Sequence, residues 1–395
     1  MTGSTIDSRS LLPGVPAAGV PAAFTIARID VHVLRCPIAT PVRTSFGVMH
    51  DRPAVLVRLE DTEGAHGWGE VWCNFPSCGA EHRARLVETV IGPLAIGTRF
   101  ESPSACFEHL QSATAVLALQ TGEHGPIAQA IAGTDLALWD LISRRAGLPL
   151  WRVLGGTGDE VAVYASGINP DAPEQVVARQ RAQGYRAFKL KIGFGRERDL
   201  GNLERVRQDM SEGESLMVDA NQAWDLAGAH AMIGALERFE LGWIEEPLRA
   251  DRPWSDWQGL RDASRTPLAA GENVAGEAAF EALIAARALG VVQPDIAKWG
   301  GISGTWPVVR RIREAGLRYC PHFLGAGVGL LHSAHLLAAA GGDGMLEIDA
   351  NPNPLRSLSC GAIGTLDHGR ARLGDAPGIG VAVDIEALRA VCAGQ

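Results

Sequence analysis

The sequence has few of the features that mark secreted, membrane-bound or nucleic-acid-binding proteins. Its 395 residues include only seven cysteines, which are scattered without a CxxC pair. Such cysteines are typical of reduced thiols in the cytoplasm, where we expect this protein. The net charge is −9, and the sequence has no basic stripe. Both features argue against a nucleic-acid partner or an anionic membrane surface. No long apolar run predicts a transmembrane helix.

Two short segments look suggestive but predict no chemistry. Residues 1–23 are rich in Gly, Pro, Ala and Ser, and Pro13 and Pro16 interrupt their apolar residues. We interpret them as a flexible tail rather than a signal peptide. Cys73, Cys78 and His82 are the only cluster with a zinc-like spacing, and they lack a fourth ligand nearby. We therefore expect no zinc site.

The next part of the chain predicts a small α+β capping domain at residues 24–155. Apolar and polar residues alternate over 24–38, 54–60 and 67–72, as in an antiparallel meander. A helical pattern follows from Pro126, with Ile127, Ile131 and Leu138 on one stripe, and it stops at Gly147.

Residues 156–365 have a different spacing of apolar residues. Eight apolar runs begin near Val161, Ala187, Ser215, Leu241, Pro267, Val291, Arg318 and Met345. They recur about every 24 to 28 residues, the length of a strand plus a crossover helix. This repeat predicts an α/β protein with a (β/α)₈ TIM-type barrel. A doubly wound open sheet is the alternative. Residues 366–395 are predicted to return to the capping domain.

Five of the predicted strands end in ionisable residues, and ordinary core strands have no use for such endings. In a barrel these carboxyl ends build the active site. Asp219, Glu245 and Glu272 would supply hard oxygen ligands for Mg²⁺, whereas strand alternation turns Glu246 away from Glu245 and excludes it as a ligand. The alternative is a set of rim salt bridges with Lys189 and Lys191.

These motifs together resemble the enolase superfamily, specifically its mandelate racemase subgroup. The matching segments are Lys189-x-Lys191, Asp219-x-Asn221, Glu245-Glu246-Pro247, Gly271-Glu272-Asn273, Pro294-Asp295-x-x-Lys298, Pro321-His322, Leu346-Glu347, residues 132–140, Leu154-Gly-Gly156 and residues 377–380. The resemblance covers nearly the whole chain after the tail. It implies a modified, enolase-like barrel and a homo-oligomer between a dimer and an octamer.

The resemblance also implies a reaction and its cofactor. Such enzymes remove the proton next to a substrate carboxylate and stabilise the resulting enediolate with one Mg²⁺ per subunit. Lys189 would lower the pKa of Lys191, so that Lys191 acts as a neutral base, while Lys189 stays near the substrate carboxylate. Glu347 would hydrogen-bond that carboxylate as a protonated acid with a raised pKa.

The opposite face of the substrate has its own candidates. His322 and Asp295 end neighbouring strands and could form a dyad in which the aspartate orients the imidazole. Lys298 matches the subgroup pattern and is a second-rank candidate for substrate binding. By contrast, His332 and His335 lie on an apolar helix and predict no metal site. The glycines at 325–329 favour a tight turn over a phosphate site.

A base on each face permits three reactions: racemisation or epimerisation, dehydration, and cycloisomerisation of a lactone. In this family the loop at residues 40–52 closes over the substrate, and here it carries Arg43 and His50. These two residues, Asn221 and Trp299 are further substrate-binding candidates. The loop is polar, and residues 189–200 and 351–356 resemble galactarolactone cycloisomerases, so an acid-sugar (aldonate or aldarate) dehydratase is the leading hypothesis. A non-catalytic barrel scaffold is the opposing class.

Overall fold

A computed structural model describes residues 23–43 and 47–394. The predicted tail therefore lies almost entirely outside the described residues. The first part is an antiparallel sheet of order β3-β2-β1-β4 covered by helices. Its strands are β1 (Phe24–Arg43), β2 (Val48–Asp61), β3 (His66–Val71) and β4 (Arg99–Phe100). Its helices are α1 (Gly79–Leu86), α2 (Gly92–Ala95), α3 (Pro103–Thr121), α4 (His124–Arg145) and α5 (Leu150–Val153).

The predicted eight-strand repeat is confirmed as a nearly closed parallel barrel. Its strands are β5 (Glu160–Ile168), β6 (Ala187–Lys191), β7 (Ser215–Asp219), β8 (Ile244–Glu245), β9 (Leu268–Ala270), β10 (Val291–Val292), β11 (Arg318–Tyr319) and β12 (Met345–Asp349). Hydrogen bonds join them in the order β11-β10-β9-β8-β7-β6-β5-β12. The open-sheet alternative is therefore excluded.

A helix follows each barrel strand, as the crossover lengths predict. These helices are α6 (Pro173–Ala182), α7 (Arg196–Gln208), α8 (Leu226–Leu236), α9 (Trp254–Ala263), α10 (Glu277–Ala286), α11 (Gly301–Glu314), α12 (Gly327–Ala340) and α13 (Pro354–Ser359). Shorter turns of helix are the π-helix Val87–Ile91 and the 3₁₀ helices Glu237–Phe239 and Gly361–Gly364. Within the described ranges, no helix is long and apolar enough to cross a membrane.

The interior of the barrel is packed below the charged strand ends. Its apolar layer is formed by Tyr164, Ala187, Met217, Trp243, Ala269, Val291 and Cys320. The rings of Tyr164 and Trp243 meet edge to face, 5.2 Å apart. Because side chains alternate along a strand, the residues two positions further on in each of these strands also face inward. The charged residues therefore stand on a filled core at the open end, which we call the barrel mouth.

The last part of the chain contacts both the barrel and the sheet of the first part. Strand β13 (Arg370–Arg372) pairs antiparallel with β5. Helix α14 (Ile385–Ala393) lies near β1, where Arg389 Nη2 is 3.4 Å from His32 Nδ1. The domain boundaries given above remain predictions.

Candidate functional site

The two lysines of β6 lie side by side at the barrel mouth, each paired with carboxylates. Lys189 is buried, and its Nζ lies 2.6 Å from Glu245 Oε1 and 2.8 Å from Glu347 Oε1. Lys191 Nζ lies 2.5 Å from Asp219 Oδ2. The shared face of the lysines follows from strand alternation, and the parallel register sets Lys191 beside Asp219.

The pKa of Lys191 differs from the sequence-based expectation. Burial lowers the pKa, and the charge of Lys189 lowers it further, but the charge and hydrogen bond of Asp219 together with the charge of Glu245 raise it above 10.5. The lysine is therefore a protonated partner of Asp219 in this structure. Burial would raise the pKa of Asp219, but Lys191 and Lys189 hold it below its usual range.

Glu245 and Glu246 both lie at the barrel mouth, which corrects the prediction that Glu246 turns away. Strand β8 ends at Glu245, and Glu246 has a φ of 40°, so the alternation of the strand stops between them. Burial raises the pKa of Glu246 well above 4.5, and the charges of Glu272 and Asp219 raise it further. One Glu246 oxygen accepts from Asn273 Nδ2 at 2.7 Å. The other is buried without a hydrogen-bond partner among the described residues.

Glu245 has more hydrogen-bond and ion-pair partners than Glu246. Besides Lys189, it accepts hydrogen bonds from Trp243 Nε1 at 3.1 Å and Gln293 Nε2 at 2.6 Å. Burial raises its pKa to about 7 even though Lys189 opposes the shift. Gln293 was not among the predicted site residues. Its position two residues before Asp295 places it on the same face of the strand end, and that spacing was the available signal.

His322 and Asp295 form the predicted dyad. His322 Nδ1 lies 2.7 Å from Asp295 Oδ2, and the Asp295 side chain is fully buried. His322 Nε2 faces the carboxylate of Glu272. Burial lowers the pKa of His322, but Glu272, Glu347 and Asp295 together raise it well above 6.5. In return, the pKa of Glu272 lies well below its usual value despite burial.

The structure contradicts the expected protonation of Glu347. Burial would raise its pKa, but the charges of Lys189 and His322 lower it below 4.5. The side chain accepts from Ser166 Oγ and, at 3.2 Å, from the Phe323 main-chain N–H. The sequence could not predict this result because the partners of Glu347 come from other strands.

Asn221 and Lys298, two of the predicted substrate-binding residues, lie at the barrel mouth. Asn221 donates from Nδ2 to Asp219 Oδ2 at 3.2 Å and from its main-chain N–H to Oδ1 at 2.7 Å. Lys298 Nζ lies 3.7 Å from Glu272 Oε2 and 5.0 Å from the centre of the Trp72 ring. Lys298 thus contacts both the barrel and Trp72, which lies in the loop after β3.

The other three substrate-binding candidates are Trp299, His50 and Arg43. Trp299 is a correction, because its ring packs against Phe280 of α10 in the layer of helices outside the barrel, with 5.8 Å between ring centres. His50 is exposed on β2. The side chain of Arg43 lies outside the described part of the structure.

Arg52, two residues after His50, makes a contact with the barrel that the sequence did not predict. It is buried and pairs through Nη2 with Asp349 at the end of β12. Its Nη1 is buried without a hydrogen-bond partner among the described residues. No motif links residues 297 positions apart, so only the fold shows the pair.

The donor set at the mouth fits a divalent cation. Its carboxylates are Asp219, Glu245, Glu246, Glu272, Asp295 and Glu347, and its cationic side chains are Lys189, Lys191, Lys298 and His322. Six potential negative charges thus face at most four positive ones. The free oxygen of Glu246 is a further hard donor. Among the described side chains, no three His, Cys, Asp or Glu residues are already grouped as metal ligands, because lysines and His322 hold the predicted ligands.

His332 and His335 are structural, as the sequence indicated. The two ring nitrogens of His332 each lie 2.9 Å from a main-chain oxygen, those of Val328 and Leu136. His335 Nδ1 accepts from the Trp151 main-chain N–H at 3.1 Å. Burial lowers the pKa of His335 to about 3, so the ring stays neutral.

Comparisons with known proteins agree with this architecture. Residues 28–155 match the mandelate racemase / muconate lactonizing enzyme N-terminal domain, and residues 171–388 match the enolase C-terminal domain-like family. The chain is 59% identical to a crystallised mandelate racemase/muconate lactonizing enzyme from Bordetella bronchiseptica RB50, with a TM-score of 0.90 over 94% of this chain and 100% of that one.

Two further relatives have more specific names. D-galactarolactone cycloisomerase from Agrobacterium fabrum is 29% identical over 92% of this chain and 97% of its own length. L-talarate dehydratase from Polaromonas sp. JS666, crystallised with Mg and L-glucarate, is 28% identical, with a TM-score of 0.79 over 92% of this chain and 96% of that one. The chain therefore belongs to the enolase superfamily, in the mandelate racemase subgroup, and is an enzyme of that superfamily.

Proposed function

We propose that this enzyme removes the α-proton of a polyhydroxy carboxylate in a Mg²⁺-dependent reaction and then expels the β-hydroxyl group, which makes it an acid-sugar dehydratase. The observation that carries this proposal is the pair of proton-transfer groups on different sides of the mouth. Lys191 ends β6, and the His322–Asp295 dyad spans the ends of β11 and β10. A base and an acid on separate faces suit the removal of a proton and a hydroxyl from neighbouring carbons.

Asp219, Glu245 and Glu272 would hold Mg²⁺, with the free oxygen of Glu246 as an additional donor. When bound, the metal supplies Lewis-acid stabilisation for the substrate carboxylate as it becomes an enediolate. Lys189 contributes a fixed positive charge at the same end of the substrate, because Glu245 and Glu347 hold its ammonium group in place.

Lys191 takes the α-proton in this scheme. Its tight contact with Asp219 keeps it protonated, so it becomes a base only when Asp219 is engaged elsewhere. The proton affinity of Lys191 thus depends on the other partners of Asp219.

His322 acts on the β-hydroxyl. Asp295 engages Nδ1, which leaves Nε2 as the nitrogen that faces the mouth beside Glu272. His322 donates a proton to the departing hydroxyl, and water leaves. The α-C–H and β-C–O bonds break, and the resulting enol tautomerises to a 2-keto-3-deoxy acid.

The polar surroundings favour a substrate with many hydroxyl groups. Asn221 and Lys298 present an amide and an ammonium group at the mouth, and we propose that Arg43 and His50 add to these contacts from the first part of the chain. The relative that was crystallised with L-glucarate supports an aldonate or aldarate as substrate. We also propose that the enzyme is a homo-oligomer with one Mg²⁺ per subunit.

Cycloisomerisation of an acid-sugar lactone is the second candidate, favoured by the end-to-end similarity to D-galactarolactone cycloisomerase. The same residues would then open a lactone instead of expelling a hydroxyl. Racemisation or epimerisation would use the same two faces.

One experiment distinguishes these outcomes. The enzyme is incubated in D₂O with Mg²⁺ and a pooled set of aldonic acids, aldaric acids and their lactones. A 2-keto acid that lacks one water identifies dehydration, and an isomer of unchanged mass formed from a lactone identifies cycloisomerisation. Deuterium at the α-carbon without either product identifies racemisation. No product and no α-deuterium with any acid would contradict the proposal and leave the scaffold as the remaining class.

A further inference from the structure

Two buried carboxylates of the first part of the chain reach the two barrel helices that follow the dyad residues. Glu70, on β3, accepts from the main-chain N–H of Ala326 at 2.5 Å and of Gly329 at 2.8 Å. Both donors belong to the beginning of α12, the helix that comes after His322. A carboxylate is favoured there because the first N–H groups of a helix have no partner within it.

Asp135, on α4, makes the equivalent contact at the next helix. It accepts from the main-chain N–H groups of Ile302 at 2.8 Å and Ser303 at 2.9 Å, and from Ser303 Oγ at 2.6 Å. These donors begin α11, which follows Asp295. The two carboxylates therefore hold the two helices on either side of the dyad.

Glycines make both approaches possible. A Cβ atom at Gly301 would overlap the carboxylate of Asp135, and one at Gly325 would overlap that of Glu70. A Cβ at Gly69, beside Glu70, would overlap the backbone of α4, the helix that carries Asp135. Glycine at positions 301 and 325 therefore leaves room for the two carboxylates.

The segment between His322 and α12 is held along its whole length. Asn74 Nδ2 donates to Leu324 O at 2.6 Å, and Asn353 Nδ2 donates to Gly325 O at 2.9 Å. After Asp295, the chain folds back on itself, since Asp295 Oδ1 accepts from the main-chain N–H groups of Ala297 and Lys298 at 2.9 and 3.1 Å. A displacement at the start of either helix is therefore passed to the dyad through a short, hydrogen-bonded segment.

We propose that Glu70 and Asp135 are positioning residues through which the first part of the chain sets the geometry of the His322–Asp295 dyad, independently of Lys191 and the carboxylate cluster. This inference rests on the proposed function, because it assigns the two carboxylates to the His322 step alone. Neither residue touches the reacting atoms.

Glu70→Gln and Asp135→Asn test the proposal, because each amide keeps the shape of the side chain. Glutamine has one acceptor oxygen for two N–H donors that contact different oxygens of Glu70. Asparagine cannot carry a negative charge at the start of α11, and it replaces the oxygen that accepts from Ser303 Oγ or the oxygen that accepts from both N–H groups. Asp140→Asn is the matched control. Asp140 is also buried on α4, and it accepts from Trp68 N–H and Ile379 N–H at 2.8 Å, contacts that do not involve α11 or α12. Two rates are measured for each protein with Mg²⁺ in D₂O: complete turnover, and exchange of the α-proton by Lys191.

We expect Glu70→Gln and Asp135→Asn to slow turnover by about 10- to 100-fold, the cost of a misplaced catalytic group. The exchange rate and KM should change by less than about threefold, and Asp140→Asn should change neither rate in this way. Parallel loss of turnover and exchange, or an equal effect of Asp140→Asn, would show a general structural role and overturn the proposal; so would unchanged turnover in both variants.

Two further results are distinguished: a variant that does not fold, and a wild-type enzyme that shows no activity. If either amide variant fails to fold, as judged by circular dichroism, Asn74→Ala removes a single contact to the same segment and is judged by the same ratio of turnover to exchange. If the wild-type enzyme itself shows neither exchange nor turnover, the proposed function fails, which is a different result from an unchanged ratio in an active enzyme.

Discussion

The buried carboxyl group of Glu70 makes stability depend on pH in a direction that one substitution can isolate. Burial raises its pKa from 4.5 to about 7, although the N–H groups of Gly329 and Ala326 oppose the shift. The folded protein therefore keeps a proton that the unfolded chain releases. The stabilising contribution is complete below pH 4.5 and is lost as the pH rises through about 7. A shift of this size corresponds to a loss of about 3 kcal/mol.

The assay compares Glu70→Gln with the wild type by urea unfolding at pH 5 and pH 8. Because all other titrating groups are shared, they cancel in the difference between the two free energies of unfolding. Glutamine cannot ionise, so this difference should move by about 2.5 kcal/mol in favour of the variant between the two pH values, since pH 5 lies just above the ordinary pKa of 4.5. Glu240→Gln is the control, since this side chain is 89% exposed. A difference that stays constant within about 0.5 kcal/mol would refute the reasoning.

Three further predictions concern the barrel mouth. Lys191→Ala and His322→Asn should each reduce turnover by about 100-fold or more while Mg²⁺ affinity changes little, as measured by steady-state kinetics and calorimetry; equal loss of metal binding would show that they are ligands. Glu246→Gln should weaken Mg²⁺ binding about tenfold in the same calorimetric titration, and unchanged affinity would exclude its free oxygen as a donor. Arg52→Met should cost about 1.5 to 3 kcal/mol of stability, because Asp349 loses its buried ion pair and keeps Arg356 at 3.6 Å, whereas a loss below about 1 kcal/mol in urea unfolding would contradict the buried ion pair.

Periodicity alone predicted the barrel closely. The apolar runs that begin near Ala187, Ser215, Val291, Arg318 and Met345 coincide with the first residues of β6, β7, β10, β11 and β12. This agreement has a physical cause, since parallel strands buried on both faces need continuous apolar runs and crossover helices of nearly constant length. The His322–Asp295 dyad was also predictable, because neighbouring strand ends of a parallel sheet meet at one edge.

The incorrect predictions concern residues at which strand alternation ends or whose partners lie far away in the chain. Alternation placed Glu246 outside the mouth, but β8 ends one residue earlier and the backbone turns. The pKa shifts of Lys191 and Glu347 were predicted in the wrong direction because their opposite charges come from other strands. Trp299 follows a strand end, yet it packs outward, and the composition of the segment cannot distinguish the two sides of a barrel wall.

The buried contacts between distant segments were the least visible in the sequence. Asp135 lies in a segment that matches the family, and Glu70 lies within the alternating run 67–72, but their acceptor role depends on the approach of α11 and α12. Only the folded chain brings these carboxylates to their N–H donors. The assignment of function to such residues therefore requires the structure.

Proton abstraction from the α-carbon can be measured as the exchange of α-protons for deuterium in D₂O, with and without Mg²⁺, across aldonic and aldaric acids. We expect incorporation with at least one acid, its loss when the metal is removed with a chelator, and its loss again in Lys191→Ala with the metal present. No incorporation with any acid, incorporation that persists after the metal is removed, or incorporation that persists in Lys191→Ala would each show that the reaction is not the one proposed.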